Sequence, residues 1–540
     1  MGLGRSRRAG YHSSLMKDET EQPTASPKAV NSTEVYAVHG AEPEVQAYAM
    51  AKYSRSALSM KESLREISQQ KAEKFLNTFY FQYGHRSIAD LAHIALAVER
   101  LSILAAIVLA DEQRWDGQER STRYQDFKKS GYYTPELGGS QAAVNIYRST
   151  MNSLFTEYQS ISEAMAQHLM SRVLRPDDMK QDAYERTLRA RAFDISRYLL
   201  PLGTNTSLGE IVNARTLETQ VSRLLSHTHA EVRALGELLK NAASAPAYNV
   251  NQDAWQDLIN EVGRRDTDLG SRLAQEVLKP VRVAPTLVKY ADPNSYETET
   301  RRELAQAAAE LMKGAAVEGA APVELLNDEP LEVELATTLL YEHCHYSYRQ
   351  LRRAVEAAGS KFQCGIIDLG TRHRGRHDEL LRPFCAGQRF RFDILMDIGG
   401  FRDMHRHRRC IQVGQEFTFA HGYDTPPEII EAGLGERYAL VMQSAKTAAD
   451  QISTELDRAA HAEQRDTEYL IPLAYRKRTL FKMDFAEVVY IAELRTGPAG
   501  HISYRNIAYQ MYEEVVRKHP SLASYFRVHD VKEPADLLKR

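Results

Sequence analysis

Apolar residues recur at three- and four-residue steps along 44–69, 142–170, 215–241, 299–312, 427–462 and 503–517. That is the period of a helix that buries one face. Shorter runs rich in β-branched and aromatic residues lie between them, at 34–38, 287–290 and 390–395, and predict strands. The predicted fold class is therefore α+β and helix-rich. The longest apolar stretch, Ile94 to Ala110, is interrupted by Glu99 and Arg100, so it predicts a buried element and not a membrane span.

The pattern also repeats. STEVYAVHGAEPEVQAYAMAKYSRSA, from Ser32, resembles APTLVKYADPNSYETETRRELAQAA, from Ala284. YGHRSIADLAHIALA resembles HCHYSYRQLRRAVEA, which sets His85 against His345, Ser87 against Ser347 and Asp90 against Gln350. LLPLGTNTSLGEIVNARTLE resembles LIPLAYRKRTLFKMDFAEVV, with Pro201 opposite Pro472. Two unrelated helical domains would share a period, but three matches in one order point to two diverged copies of a single helix-rich mixed domain. They are expected at 34–280 and 281–540, parted near Leu278–Pro285, where Pro280 and Pro285 interrupt helix. Residues 1–33 read as a disordered tail, and the second copy carries an insertion at about 353–388.

Composition narrows the partners. The chain has 540 residues, 43% hydrophobic, with a formal net charge of -3, so no global field recruits nucleic acid or an anionic membrane. Anion binding must be local. The four cysteines (Cys344, Cys364, Cys385, Cys410) have no CxxC spacing, and the start has no apolar secretory core. Both observations fit a reducing, cytoplasmic setting.

Arg406, His407, Arg408 and Arg409 crowd cationic donors into four positions, which repel one another unless an anion or carboxylates sit opposite. A phosphate site, a solvated basic edge and a nucleic-acid patch all fit that run. Glu119, Ser121 and Arg123 are two apart, so an extended segment would project them to one side, with Gly117 easing a close approach. A solvent-exposed strand-edge salt bridge accounts for them without a ligand, and a phosphorylated sugar fits them as well. In GHRSIAD, Ser87 and Asp90 also fit a capping box. His343 and His345 in HCHYS have no partners to complete a metal set, so no metal is expected. The insertion's TRHRGRHDELLRP reads as a loop that satisfies its own ion pairs, with Asp378 and Glu379 among its cations, or as a lid.

Taken together, G-H-x-S-x-x-[DE], an arginine-rich turn running into E-x-S-x-R-Y, and segments of the ARxxLP and NAR type resemble the flavin-dependent thymidylate synthases, the ThyX family, with its signature RHRxxSxNExSxRY. The resemblance covers most of the chain, once per half, and each half keeps part of the pattern. In the first, the RHR slot falls on Asp111, Glu112 and Gln113, whereas Glu119, Ser121, Arg123 and Tyr124 keep E-x-S-x-R-Y. Arg197 stands where the family binds substrate, Asn213 and Arg215 where it contacts flavin, and Leu224 where a further arginine is expected. In the second, Arg406, His407 and Arg408 are intact, but the S-x-R slots fall on Glu416 and Thr418, the ARxxLP arginine is Glu468, and NAR is Asp484, Phe485, Ala486. Arg495 occupies the slot of the arginine that activates the uracil ring.

What one half lost, the other kept. The resemblance implies one composite site that converts dUMP to dTMP with FAD, taking the methylene from methylenetetrahydrofolate and reducing equivalents from NADPH. Arg495 would be catalytic. Glu119, Ser121, Thr122, Arg123, Arg197, Asp403 and Arg406 would bind the nucleotide substrate. His85, Ser87, Asp90, Asn213, Arg215, Arg406, His407 and Arg408 would hold FAD. A homodimer would stand in for the family's homotetramer. A flavoenzyme for another pyrimidine nucleotide and a non-catalytic nucleotide-binding scaffold are the alternatives.

Overall fold

In a computed structural model described over residues 40–52, 64, 86–327, 329–375, 380–384, 387–458, 466–532 and 538, the opening helix α1 (Pro43–Lys52) acts on a distant segment. Glu44 Oε1 accepts from the amides of Thr286 and Leu287, both at 2.9 Å. These bonds and the local bonds Lys289 N to Thr286 O and Ala291 N to Val288 O close residues 287–290 into a turn, where the sequence predicted a strand. The strand predicted at 34–38, the tail 1–33, His85, Asp378 and Glu379 lie outside the described residues.

A short 3-10 helix, Arg86–Leu91, leads into β1 (His93–Ser102). The Glu99–Arg100 interruption is a β-bulge: register against the neighbouring strand shifts between Glu99 and Leu101, and Arg100 takes φ 63°. Ser102 ends the strand and caps α2 (Ile103–Ala110), its Oγ accepting from Ala105 N at 2.9 Å. β2 (Asp116–Glu119) and β3 (Asn205–Asn213) complete an antiparallel sheet of order β1-β3-β2. The long α3 (Gln141–Arg172) and α4 (Gln181–Ser196) connect them. Asn213 caps α5 (Ala214–Leu225); α6 (Ala230–Ser244), α7 (Gln252–Arg265) and α8 (Thr267–Val277) follow. The predicted helix 215–241 is thus two helices with a turn at 226–229.

Downstream, α9 (Ser295–Leu311), β4 (Val323–Leu325), α10 (Leu331–Tyr341) and α11 (Tyr348–Arg372) precede β5 (Phe390–Asp397). Much of the insertion is helical, continuing α11 beyond a break at Gly359, where φ is 80°. Asp397 caps α12 (Ile398–Met404), and β6 (Ile411–Gly414), α13 (Pro427–Glu431) and α14 (Gly435–Arg458) follow. β7 (Arg476–Met483) centres a second antiparallel sheet of order β4-β5-β7-β6. Asp484 caps α15 (Phe485–Arg495), and α16 (Ile502–Lys518) follows.

The sheets share an order of parts. The run β1, α2, β2, then β3 and α5 is matched by β5, α12, β6, then β7 and α15. They meet where Pro201 and Pro472 pair in an antiparallel bridge. Leu202 N donates to Ile471 O (2.9 Å) and Leu473 N to Leu200 O (3.0 Å); Gly203 N donates to Tyr469 O (2.8 Å) and Ala474 N to Tyr198 O (3.1 Å). Each bond has a counterpart with the halves exchanged. One hydrophobic core runs across this seam, from Leu104, Tyr147 and Leu202 to Phe392, Tyr438 and Ile471. A smaller one lies under α9, α10 and α11. The fold is a helix-rich mixture of α and β, and among the described residues no helix is long and apolar enough to cross a membrane.

Candidate functional site

The site candidates gather at this seam, drawn from both halves of one chain. Helix α4 brings Asp194 one turn before Arg197, and both are buried. Asp194 Oδ1 lies 3.1 Å from Arg123 Nε and 3.4 Å from Arg197 Nε, so one carboxylate serves two guanidinium groups. Burial opposes its charge, but His501, Arg197 and Arg123 win and hold its pKa below the usual range. Arg123 also donates to Tyr504 Oη (3.0 Å) and Ala499 O (3.1 Å) across the seam. Arg197 Nη1 lies 3.5 Å from Asp403 Oδ2. Its Nη2, fully buried, has no hydrogen-bond partner among the described residues.

Strand β2 ends at Glu119, and residues 122–124 form a turn in which Arg123 N donates to Ser121 Oγ at 3.2 Å. The expected extended display of Glu119, Ser121 and Arg123 on one side is therefore corrected: they are gathered by a turn. Glu119 accepts from Arg402 Nη2 (2.7 Å), and Arg402 Nη1 lies 3.4 Å from Thr122 Oγ1. Gly117 serves its own half, since a Cβ there would come within 2.4 Å of the Trp115 ring and 2.5 Å of Gly209 O.

The RHR segment follows α12 and divides its work. Among the described residues, Arg406 donates to Gln118 Oε1, at 3.5 Å. Arg408 donates to Ala110 O, the last residue of α2, at 2.7 Å and lies over the Trp115 ring at 4.3 Å, so it completes a helix C-terminus. His407 is buried and its pKa is pushed down chiefly by that burial. Arg495 Nε donates to its Nε2 at 2.8 Å, which leaves the ring proton on Nδ1, facing Glu487 at 3.4 Å. Arg495 and Arg123 both lie 5.6 Å from the Tyr504 ring, so arginines of the two halves flank one aromatic ring. Neither Arg406 nor Arg495 has a carboxylate within 4.0 Å among the described residues.

The residues expected to hold flavin are more scattered. Asn213 spends its Oδ1 on the α5 cap (Thr216 N, 2.8 Å), and Arg215 pairs with Asp90 at 3.3 Å. Asp90 faces Arg215 (3.3 Å) and Arg114 (3.7 Å), and the Ser87 side chain expected to share a capping box with it lies outside the described residues. The first half's empty RHR slot is occupied otherwise: Asp111 pairs with Arg382 of the insertion, which also donates to Gln412 O at 3.3 Å. Among the insertion's described cations, Arg372 and His373 both reach Glu303 at 3.1 Å; Asp378 and Glu379, the acids of the expected ion-paired loop, lie outside the described residues. Sequence reasoning missed Asp194, Arg402 and Tyr504. Asp194 alone left a signal, an acid three residues before Arg197 on one helical face.

Residues 36–246 and 383–521 match the family model described as thymidylate synthase complementing protein. A UPF0159 protein of Chlamydia pneumoniae is 27% identical over 537 residues, 92% of each chain. Another, from Thermoplasma acidophilum, is 25% identical over 520 residues, 89% of this chain and 94% of that one. A flavin-dependent thymidylate synthase of Clostridium tetani is 26% identical over 220 residues, 40% of this chain and 84% of its own. A crystal structure of ThyX from Helicobacter pylori with FAD and dUMP covers 37% of this chain and 89% of that chain, at 16% identity and a TM-score of 0.23, too loose an overlap to argue geometry from. The family model spans well over half of the sequence: the chain belongs to the thymidylate synthase complementing protein family, ThyX.

Proposed function

We propose that the chain is two diverged ThyX-like units sharing one composite nucleotide site, a flavin-dependent enzyme that methylates dUMP reductively, with methylenetetrahydrofolate and NADPH as co-substrates. The observation that carries this reading is a set of unspent donors at the seam. Arg197 Nη2 is buried without a partner, and Arg406 and Arg495 make no ion pair among the described residues. A buried cationic donor left unpaired is costly unless a ligand completes it, and a phosphate or a uracil carbonyl supplies the acceptor. The matched order of strands and helices, the exchanged bonds of the Pro201–Pro472 bridge and the full-length relatives support the two-unit reading.

Arg123, Ser121 and Arg406 would take the phosphate, with Arg197 on the pyrimidine side. Arg495, oriented by His407, would stabilise negative charge developing on the ring. Glu119, Thr122 and Asp403 would keep Arg402 and Arg197 in register. His85, Ser87, Asp90, Asn213, Arg215, Arg406, His407 and Arg408 are the candidates for holding FAD, which when bound supplies the hydride. The test is a titration of the purified chain with FAD, with and without dUMP. One site per chain is expected, with Arg406→Ala and Arg123→Ala each weakening binding about tenfold or more, the worth of one charge-assisted hydrogen bond. Unaltered binding in both variants refutes the composite site. Flavin binding with turnover of a different pyrimidine nucleotide, or nucleotide binding without flavin, would replace the reaction.

A further inference from the structure

The seam holds a second arrangement built on the plan of the first. Around Arg197, the next residue Tyr198 lies 5.4 Å from the ring of His501, and two residues on, Ser503 donates to Asp397, the cap of α12. Around Glu468, the next residue Tyr469 lies 5.5 Å from the ring of His229, and two residues on, Glu231 accepts from Ser102 Oγ at 2.6 Å, the cap of α2. Arg197 stands four residues before Pro201 and Glu468 four before Pro472, the two residues that pair across the seam. The parts correspond, but a guanidinium has been replaced by a carboxylate.

The neighbourhood of Glu468 has changed with it. His229 Nδ1 lies 2.7 Å from Asp466 Oδ1, and ligand atoms of His229, Asp466 and Glu468 all lie within 4.8 Å of one another. Glu468 Oε2 is buried and has no hydrogen-bond partner among the described residues. Burial pushes the Glu468 carboxyl up, His229 pulls it down, and the carboxylates of Asp466 and Glu416 push it up again. Arg233 is held instead by the carbonyls of His227 (2.8 Å) and Thr228 (2.6 Å). The twin of an anion-binding place therefore gathers carboxylates about one imidazole.

We propose that His229, Asp466 and Glu468 form a divalent transition-metal site, the charge-inverted twin of the nucleotide site. One imidazole nitrogen and two carboxylate oxygens form a mixed donor set that suits Zn2+ or Mn2+. Binding would draw Oε2 of Glu468 into coordination and open the His229–Asp466 contact so that both atoms face the ion. Because His229 precedes α6 and the two acids precede β7, the ion would clamp the two halves together. The inference rests on the two-unit reading of the chain and not on flavin or nucleotide binding.

The test titrates the full chain, stripped with a chelator, with Zn2+ by calorimetry, and follows Tm and FAD uptake on the same samples. One Zn2+ per chain is expected, with a higher Tm in its presence. Glu468→Gln, which keeps size and removes charge, and His229→Ala should each weaken binding about tenfold or more, while FAD uptake stays unchanged. Co2+ in place of Zn2+ should give a visible absorption band that His229→Ala alters. No saturable uptake, or uptake identical in wild type and both variants, overturns the site. Metal binding without flavin binding would leave this inference standing and sink the proposed reaction, and the converse result would do the reverse.

Discussion

At the scale of single residues, the seam is a balance of buried groups whose titrations oppose one another. His501 and His421 are both held at about 4, chiefly by burial, so the folded state keeps them neutral while the unfolded chain protonates near 6.5. Stability they contribute at neutral pH is lost as pH falls from 6.5 towards 4. Asp397 works the other way: burial pushes it up to about 6, so its cost is felt above pH 6 and relieved as pH falls towards its ordinary 3.8. Two histidines against one acid leave the fold less stable at pH 4 than at pH 6.5. Asp397→Asn, which can still cap α12, should steepen that loss in calorimetric scans, and parallel pH profiles for variant and wild type would contradict the assignment. Such residues were legible in the sequence only where chemistry is local. Glu119, Ser121, Arg123 and the Arg406–Arg408 run could be read because their spacing is short. Arg402, Tyr504 and the pairing of His229 with Asp466 depend on how distant segments pack, and nothing local marks them.

At the scale of elements, period reached about half of the helices among the described residues, and α3, α9 and α16 match the sequence reading within a few residues, whereas α4, α10, α11 and α15 were not read. Breaks were invisible where a turn joins two helices of similar phase, as at 226–229 and between α13 and α14. Residues 287–290 failed as a strand because local turn bonds are joined by two from Glu44, far away in the chain. β2 has four residues, too few for alternation to register. Packing between elements is also tight at the bridge. A Cβ on Gly203 would come within 2.6 Å of Tyr147 Oη and 3.0 Å of Tyr469 O. Gly203→Ala should therefore cost about 1–3 kcal/mol, seen as a lowered denaturation midpoint with an unchanged slope.

At the scale of the whole molecule, the two ThyX-like units proposed above would together make half of a four-unit assembly. A homodimer is the expected assembly, with light scattering giving twice the 61.2 kDa chain mass. Tyr490 and Leu494, exposed on α15 beside Arg495, are among the exposed apolar residues available to such a contact. A monomer at micromolar concentration would contradict this and would leave the site to one chain alone.

The Pro201–Pro472 bridge also constrains how the molecule comes into being. The amides of Leu202 and Gly203 find their acceptors only at Ile471 and Tyr469, so the first half leaves the ribosome with an open backbone edge. At ~5–20 residues per second, that edge waits on the order of tens of seconds for its partner to be made. During that interval the same edge on a neighbouring nascent chain presents an identical set of bonds, and two molecules that exchange their second halves satisfy it as fully as one that folds alone. Speed of synthesis, and whatever shields the edge in the meantime, therefore decides between a self-contained chain and an interlocked pair.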